Sequence, residues 1–192
     1  RFMELIASLT GEELIYDNIA KIIGIDKKTV MSWLSVLIAG DIVYLLEPYN
    51  EISISKRIIK RPKLYFTDTG LACYLARLNS GEILGASAFS GRFVETYIIN
   101  EIKKSYVNNG IEPNFYYYRD SDMNEIDLVI IQDGKLHRIE CKSGIKFNNN
   151  AVKGFKQLDK TNYQIGFKVI ICNTDTVYPL DDNVYVLPLA GI

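Results

Sequence analysis

Apolar positions recur with two periods along this chain, and the change between them divides it. Up to residue 78 the spacing is helical. Phe2, Leu5, Ile6 and Leu9 mark a helix over Arg1–Leu9, and Ile19, Ala20 and Ile23 mark another over Tyr16–Ile23. Gly24-Ile25 makes a turn, and Asp26 is placed to cap a third helix, Lys27–Ala39, whose stripe is Val30, Trp33, Leu34, Leu37 and Ile38, with Trp33 expected in the core. Short strands follow at Ile42–Leu46 and Lys63–Phe66, and Thr67-Asp68-Thr69-Gly70 leads into a helix over Leu71–Leu78. Two helices joined by a tight glycine turn and followed by a hairpin have the layout of a winged helix-turn-helix. Asn79–Gly91, rich in Gly, Ser and Ala, reads as a linker.

From residue 92 helices and strands alternate. Phe93–Tyr106 is helical, Phe115–Arg119 is an aromatic strand, and Glu125–Gln132 with Lys135–Lys142 forms a hairpin about Asp133-Gly134. Ala151–Leu158 follows as a helix, with strands at Phe167–Cys172 and Val184–Leu187. The expected fold class is α/β (α+β overall): a winged-helix-like domain over 1–78, a linker over 79–91, and a mixed sheet flanked by helices over 92–192.

A two-residue type I′ turn at Asp133-Gly134 sets Asp127 opposite Glu140 and Glu125 opposite Lys142, on one face by strand alternation. Directly opposed carboxylates repel, and the run Ile126–Ile131 around them is apolar. Two readings follow. A divalent cation, Mg²⁺ or Mn²⁺, bridges Asp127 and Glu140 with Lys142 alongside, or Lys142 and Arg138 neutralise the pair in a salt-bridge cluster. Glu95 shares the helical stripe of Ile99, Ile102 and Tyr106, either facing the sheet as a third acid or pointing to solvent in a first helical turn. His137, the only histidine, reads as an exposed strand residue, and Phe115–Tyr118 as strand formers before a base-stacking surface.

Charge limits the partners. The chain of 192 residues is 48% hydrophobic with net charge −1, and residues 1–90 balance ten basic against ten acidic side chains. A DNA contact therefore needs a local patch: Lys56, Arg57, Lys60 and Arg61 at the wing position, with Lys27 and Lys28 at the start of the third helix. The same segment also fits a solvated loop on a domain used only for packing. Cys73, Cys141 and Cys172 lack zinc-ligand spacing and suit a reducing cytoplasm. No apolar run is long enough to span a membrane.

Phe93-Val94-Glu95, Asn124-Glu125-Ile126-Asp127 and Ile139-Glu140-Cys141-Lys142-Ser143 together resemble the core of the PD-(D/E)xK restriction-endonuclease-like superfamily. With Arg61–Leu71 (RPKLYFTDTGL), the resemblance extends to the C-terminal region of a prokaryotic family of AAA-type ATPases. It implies a Mg²⁺-type site with Asp127 and Glu140 as ligands, Glu95 supporting the metal or its water, and Lys142 orienting water or stabilising the phosphate. It also implies DNA as partner, an N-terminal ATPase domain in the same full-length protein as the place where ATP acts, and room for a homo-oligomer. No GxxxxGK[ST] loop occurs in these residues. The competing class is a catalytically inactive nuclease-like fold that recognises DNA or a protein.

Overall fold

The computed structural model of the protein describes residues 1–50, 61–145, 149–181 and 183–192. Its elements, in chain order, are α1 (Phe2–Ser8), β1 (Glu12–Glu13), α2 (Tyr16–Ile23), α3 (Lys27–Ala39), β2 (Val43–Leu46), β3 (Lys63–Phe66), α4 (Thr69–Leu75), α5 (Gly81–Ala86) and α6 (Ser90–Asn108). Then come β4 (Phe115–Arg119), β5 (Glu125–Gln132), β6 (Lys135–Cys141), a 3-10 helix (Asn149–Leu158), β7 (Gln164–Cys172), β8 (Tyr178–Asp181) and β9 (Val184–Pro188). The α/β class is as expected. The chain divides into two compact units: Arg1–Leu46 with Arg61–Thr96, and Tyr97–Ile192 with the described residues of 47–60.

In the first unit, α2 and α3 stand where the periodicity places them. Gly24 closes α2 at φ 81°, a left-handed conformation that costs a glycine little, and Asp26 caps α3 by accepting the Thr29 N–H at 3.0 Å. Ile6, Ile19, Val30, Leu34, Leu64 and Phe66 form the core beneath a three-stranded antiparallel sheet of order β1-β3-β2. Trp33 departs from the expected stripe. The residue is 44% exposed and its ring packs edge-on against Phe2 at 5.0 Å, because Val30 and Leu34 alone define the buried line of α3. The expected linker also departs. Ser80 caps α5 by accepting the Ile83 N–H at 3.2 Å, and α6 starts at Ser90, so most of 79–91 is helical. The division between units falls inside α6, between Thr96 and Tyr97.

The second unit is a mixed six-stranded sheet of order β4-β5-β6-β7-β9-β8. β4, β5 and β6 are antiparallel neighbours, while β6-β7 and β7-β9 are parallel. β8 is an edge strand that carries Pro179, whose missing N–H an edge tolerates. The 3-10 helix packs Phe155 and Leu158 into a core with Val129, Leu136, Ile170 and Val186. Gly154 makes this approach possible. A Cβ there would meet the Glu125 carbonyl oxygen at 2.0 Å. The other edge, β4, is covered by residues 47–49, since Tyr49 N–H donates to the Tyr117 carbonyl and Tyr117 N–H to that of Glu47. Tyr117 and Tyr118 are buried, so half of the aromatic strand is core. Among the described residues no helix is long and apolar enough to cross a membrane.

Candidate metal centre

The hairpin sets the register. Asp133 and Gly134 both have positive φ, 51° and 73°, and Gln132 pairs with Lys135, as a type I′ turn requires. Pairing then runs back without a slip to Leu128 opposite Ile139, so Asp127 and Glu140 stand at the next position. There the ladder opens. On its other side β5 is bulged: Tyr116 pairs with Val129 and Tyr118 with Ile126, leaving Tyr117 to span both Asp127 and Leu128. A bulge twists the strand and re-aims its side chains. Asp127 consequently turns its carboxylate into the gap, where Oδ2 accepts the Cys141 N–H at 2.8 Å. In an unbroken ladder that N–H would bond a β5 carbonyl. The simple alternation that puts Glu125, Asp127, Glu140 and Lys142 on one face is therefore interrupted at Asp127.

Three of the expected site residues come together. Asp127 and Glu140 are each 7% exposed. The Lys142 ammonium lies 2.6 Å from Glu140 Oε1, and Lys142 N–H is anchored to the Ile171 carbonyl at 2.9 Å. The second oxygen, Glu140 Oε2, is buried and has no hydrogen-bond partner among the described residues. Burial, then the charge of Asp127, raises the Glu140 pKa to about 8 despite Lys142, and Glu125 adds a smaller push in the same direction. Burial acts to lower the Lys142 pKa, but the negative charges of Glu140 and Asp127 outweigh it and hold the ammonium above its ordinary range.

This donor set fits a hard divalent cation. Mg²⁺ is commonly held by one or two carboxylates and keeps several waters for itself and for substrate oxygens. An orphaned carboxylate oxygen beside a second carboxylate supplies that pair. Among the described residues no group of three or more His, Cys, Asp or Glu side chains is gathered for a metal ion, so the acids here form a pair rather than a cage.

The remaining expected residues have other partners. Glu95 belongs to the first unit, where Oε1 accepts from Lys63 Nζ at 3.0 Å and from the Tyr65 hydroxyl at 2.5 Å. Arg138 does not neutralise the acid pair. Its fully buried guanidinium donates to the Phe155 and Leu158 carbonyls and to Asp159, tying the 3-10 helix to the sheet. His137 is half-buried rather than exposed, and its Nδ1 accepts the Phe167 N–H at 3.0 Å. Burial, then Lys135, lowers its pKa against the opposing charge of Asp133. Lys56, Arg57 and Lys60 lie outside the described residues. Arg61 lies 3.7 Å from Glu13, and Lys27 is 2.9 Å from Asp17. Lys28 is exposed. Sequence reasoning missed Cys141 N–H as the group that fixes Asp127, and a backbone donor leaves no mark on residue identity.

Two family models match this sequence. One, described as "Domain of unknown function (DUF4143)", matches residues 90–192, and another, "Domain of unknown function (DUF8612)", matches residues 1–82. Among curated proteins, "Uncharacterized protein Rv2008c" of Mycobacterium tuberculosis and "Uncharacterized protein Mb2031c" of Mycobacterium bovis are each 22% identical over 188 residues, which is 98% of this chain and 41% of theirs. The chain thus spans about two fifths of the length of these relatives. No solved structure matches it.

Proposed function

The chain belongs to the family described as "Domain of unknown function (DUF4143)", and from that premise we propose that its second unit is a Mg²⁺- or Mn²⁺-dependent phosphodiester-cleaving module of the PD-(D/E)xK kind that acts on DNA. The observation that carries this reading is Glu140 Oε2, a buried carboxylate oxygen without a partner among the described residues, beside Asp127 and Lys142 at an opened strand end. Asp127 and Glu140 would hold the cation. When bound, it would polarise a phosphoryl oxygen and make its water more acidic. Cys141 N–H keeps the Asp127 carboxylate in place before any ligand arrives, so little reorganisation is left for the reaction. Lys142, kept cationic by the two acids, offers an ammonium to the charge that develops on the transferred phosphate.

DNA contact in this reading rests on the basic run Lys56, Arg57, Lys60 and Arg61, through phosphates. The exposed residues of α3 include Lys28, Ser32 and Ser35, whose side chains can donate to phosphates or base edges. We take the chain as the C-terminal portion of an AAA-type ATPase, with ATP bound in a domain outside these residues. The length of the relatives and the segment Arg61–Leu71 support this. A second reading, a nuclease-like fold that only binds DNA or protein, is favoured by one observation: among the described residues the acids are a pair without a third.

Plasmid nicking separates the two. Supercoiled DNA incubated with the protein and Mn²⁺ should be converted to open circles, with Asp127→Ala and Lys142→Ala inactive yet still bound to DNA. Intact plasmid with every variant, under conditions where DNA is bound, would favour the interaction module.

A further inference from the structure

A cavity of about 310 Å³ opens in the second unit between the 3-10 helix and strands β7 to β9. Its floor is Phe155 and Val184, and its polar walls are Lys156, Lys168, Asp181 and Asn183. That volume lies at the lower end for small-molecule clefts. We propose that this cavity binds a phosphate group.

Positive charge is left unbalanced beside this cavity. Lys168 is 15% exposed and Arg138 is fully buried, and both lean on one atom: Asp159 Oδ1 lies 3.3 Å from Lys168 Nζ and 2.5 Å from Arg138 NH1. One carboxylate neutralises one cation, so a positive charge is left over in a place with little water to screen it. Arg138 Nε, moreover, finds no acceptor among the described residues. On the cavity side Lys156 adds a second ammonium, exposed at the end of the 3-10 helix. Asp181 is the acid of the described lining, and its Oδ1 already accepts the Asn183 N–H at 2.9 Å. Among the described residues, Lys156, Lys168 and Arg138 stand against Asp159 and Asp181, which leaves one positive charge over. A tetrahedral anion between Lys156 and Lys168 supplies the missing negative charge, and the Asn183 side-chain amide adds a neutral donor.

The chemistry admits two sources: a terminal or free phosphate, and a phosphodiester within a nucleic-acid backbone. Neither requires the cation site, so the proposal does not depend on Asp127 or Glu140.

The test titrates the whole chain at constant ionic strength, by calorimetry, with inorganic phosphate, with a 5′-phosphorylated oligonucleotide and with the same oligonucleotide lacking that group. Saturable phosphate binding is expected, and Lys156→Gln, a surface change, should weaken it about tenfold through loss of one charge-assisted bond. Lys168→Gln should do the same, and circular dichroism checks its fold. Preference for the phosphorylated oligonucleotide identifies a terminal phosphate. Equal affinities that both drop with Lys156→Gln identify the backbone. The Mn²⁺-induced thermal shift should persist in Lys156→Gln, which separates this site from the cation site. No saturable phosphate binding, or affinities unchanged in both variants, would overturn the proposal.

Discussion

Raising the pH of the cation-free protein should destabilise it, and Glu140 should be the cause. Its folded pKa stands at about 8 against an ordinary 4.5. A group with a raised folded pKa gives stability that is fully present below the unfolded value and lost as pH climbs through the folded one. The window is therefore pH 4.5 to 8. The stability lost across that window is a sizeable part of a typical domain's small total, because the ionised Glu140 is both buried and beside Asp127. His137 works the other way, since its lowered folded pKa makes stability rise with pH near neutrality, and it cannot mimic the effect. The assay is hydrogen exchange of the β5 and β6 amides, with chelator present, from pH 5 to 8.5 and corrected for intrinsic exchange rates. Protection of these amides should fall across that range in the wild type and stay level in Glu140→Gln, which cannot ionise. Saturating Mn²⁺ should reverse the wild-type trend, because a cation binds the ionised pair and stabilises the folded state by about 2.7 kcal/mol at one hundred times its dissociation constant. Protection that is flat or rising with pH in the cation-free wild type would refute the reasoning.

Three further outcomes rest on individual side chains. Gly154→Ala sets a Cβ against the Glu125 carbonyl, two residues before Asp127, so it should destabilise by about 2–3 kcal/mol in urea melts and also weaken Mn²⁺ binding; a loss of stability with unchanged Mn²⁺ affinity would break the second link. Glu95→Gln removes the carboxylate that accepts from Lys63 and Tyr65 and should lower stability in the same melts while keeping the Mn²⁺ response, whereas a lost response would return Glu95 to the cation site. Replacing Lys56, Arg57, Lys60 and Arg61 with Ala should weaken DNA of every sequence alike and flatten the salt dependence by about 0.9 log unit for each phosphate no longer neutralised; an unchanged salt slope would move the DNA-binding surface elsewhere.

What the sequence makes legible here is local. The Asp133-Gly134 turn, the Asp26 cap and the Gly24 stop each depend on one or two residues whose conformational preferences act within a turn, and the structure has all three. The hairpin register follows from the turn and brings Asp127 to Glu140. What the sequence leaves unread is decided by partners far along the chain. Glu95 is bound by Lys63 and Tyr65, some thirty residues earlier on β3, and no periodicity in α6 reveals that. Arg138 sits one residue from His137 in a strand, but its length lets it reach the carbonyls at the end of the 3-10 helix. The bulge at Asp127-Leu128 arises from pairing with β4, so reading β5 alone as a regular strand misplaces the face. Trp33 shows the limit of an apolar stripe wider than the surface that covers it, and α5 shows that Gly and Ser do not exclude a helix once Ser80 caps it.

The cation site itself is open to direct observation. Crystals of the protein grown with Mn²⁺ and measured at the manganese edge should show one anomalous peak within coordination distance of Glu140 Oε2 and an Asp127 carboxylate oxygen, absent from Asp127→Asn crystals grown identically. Ordered density for both carboxylates, Mn²⁺ at millimolar concentration and no anomalous peak between them would contradict the account.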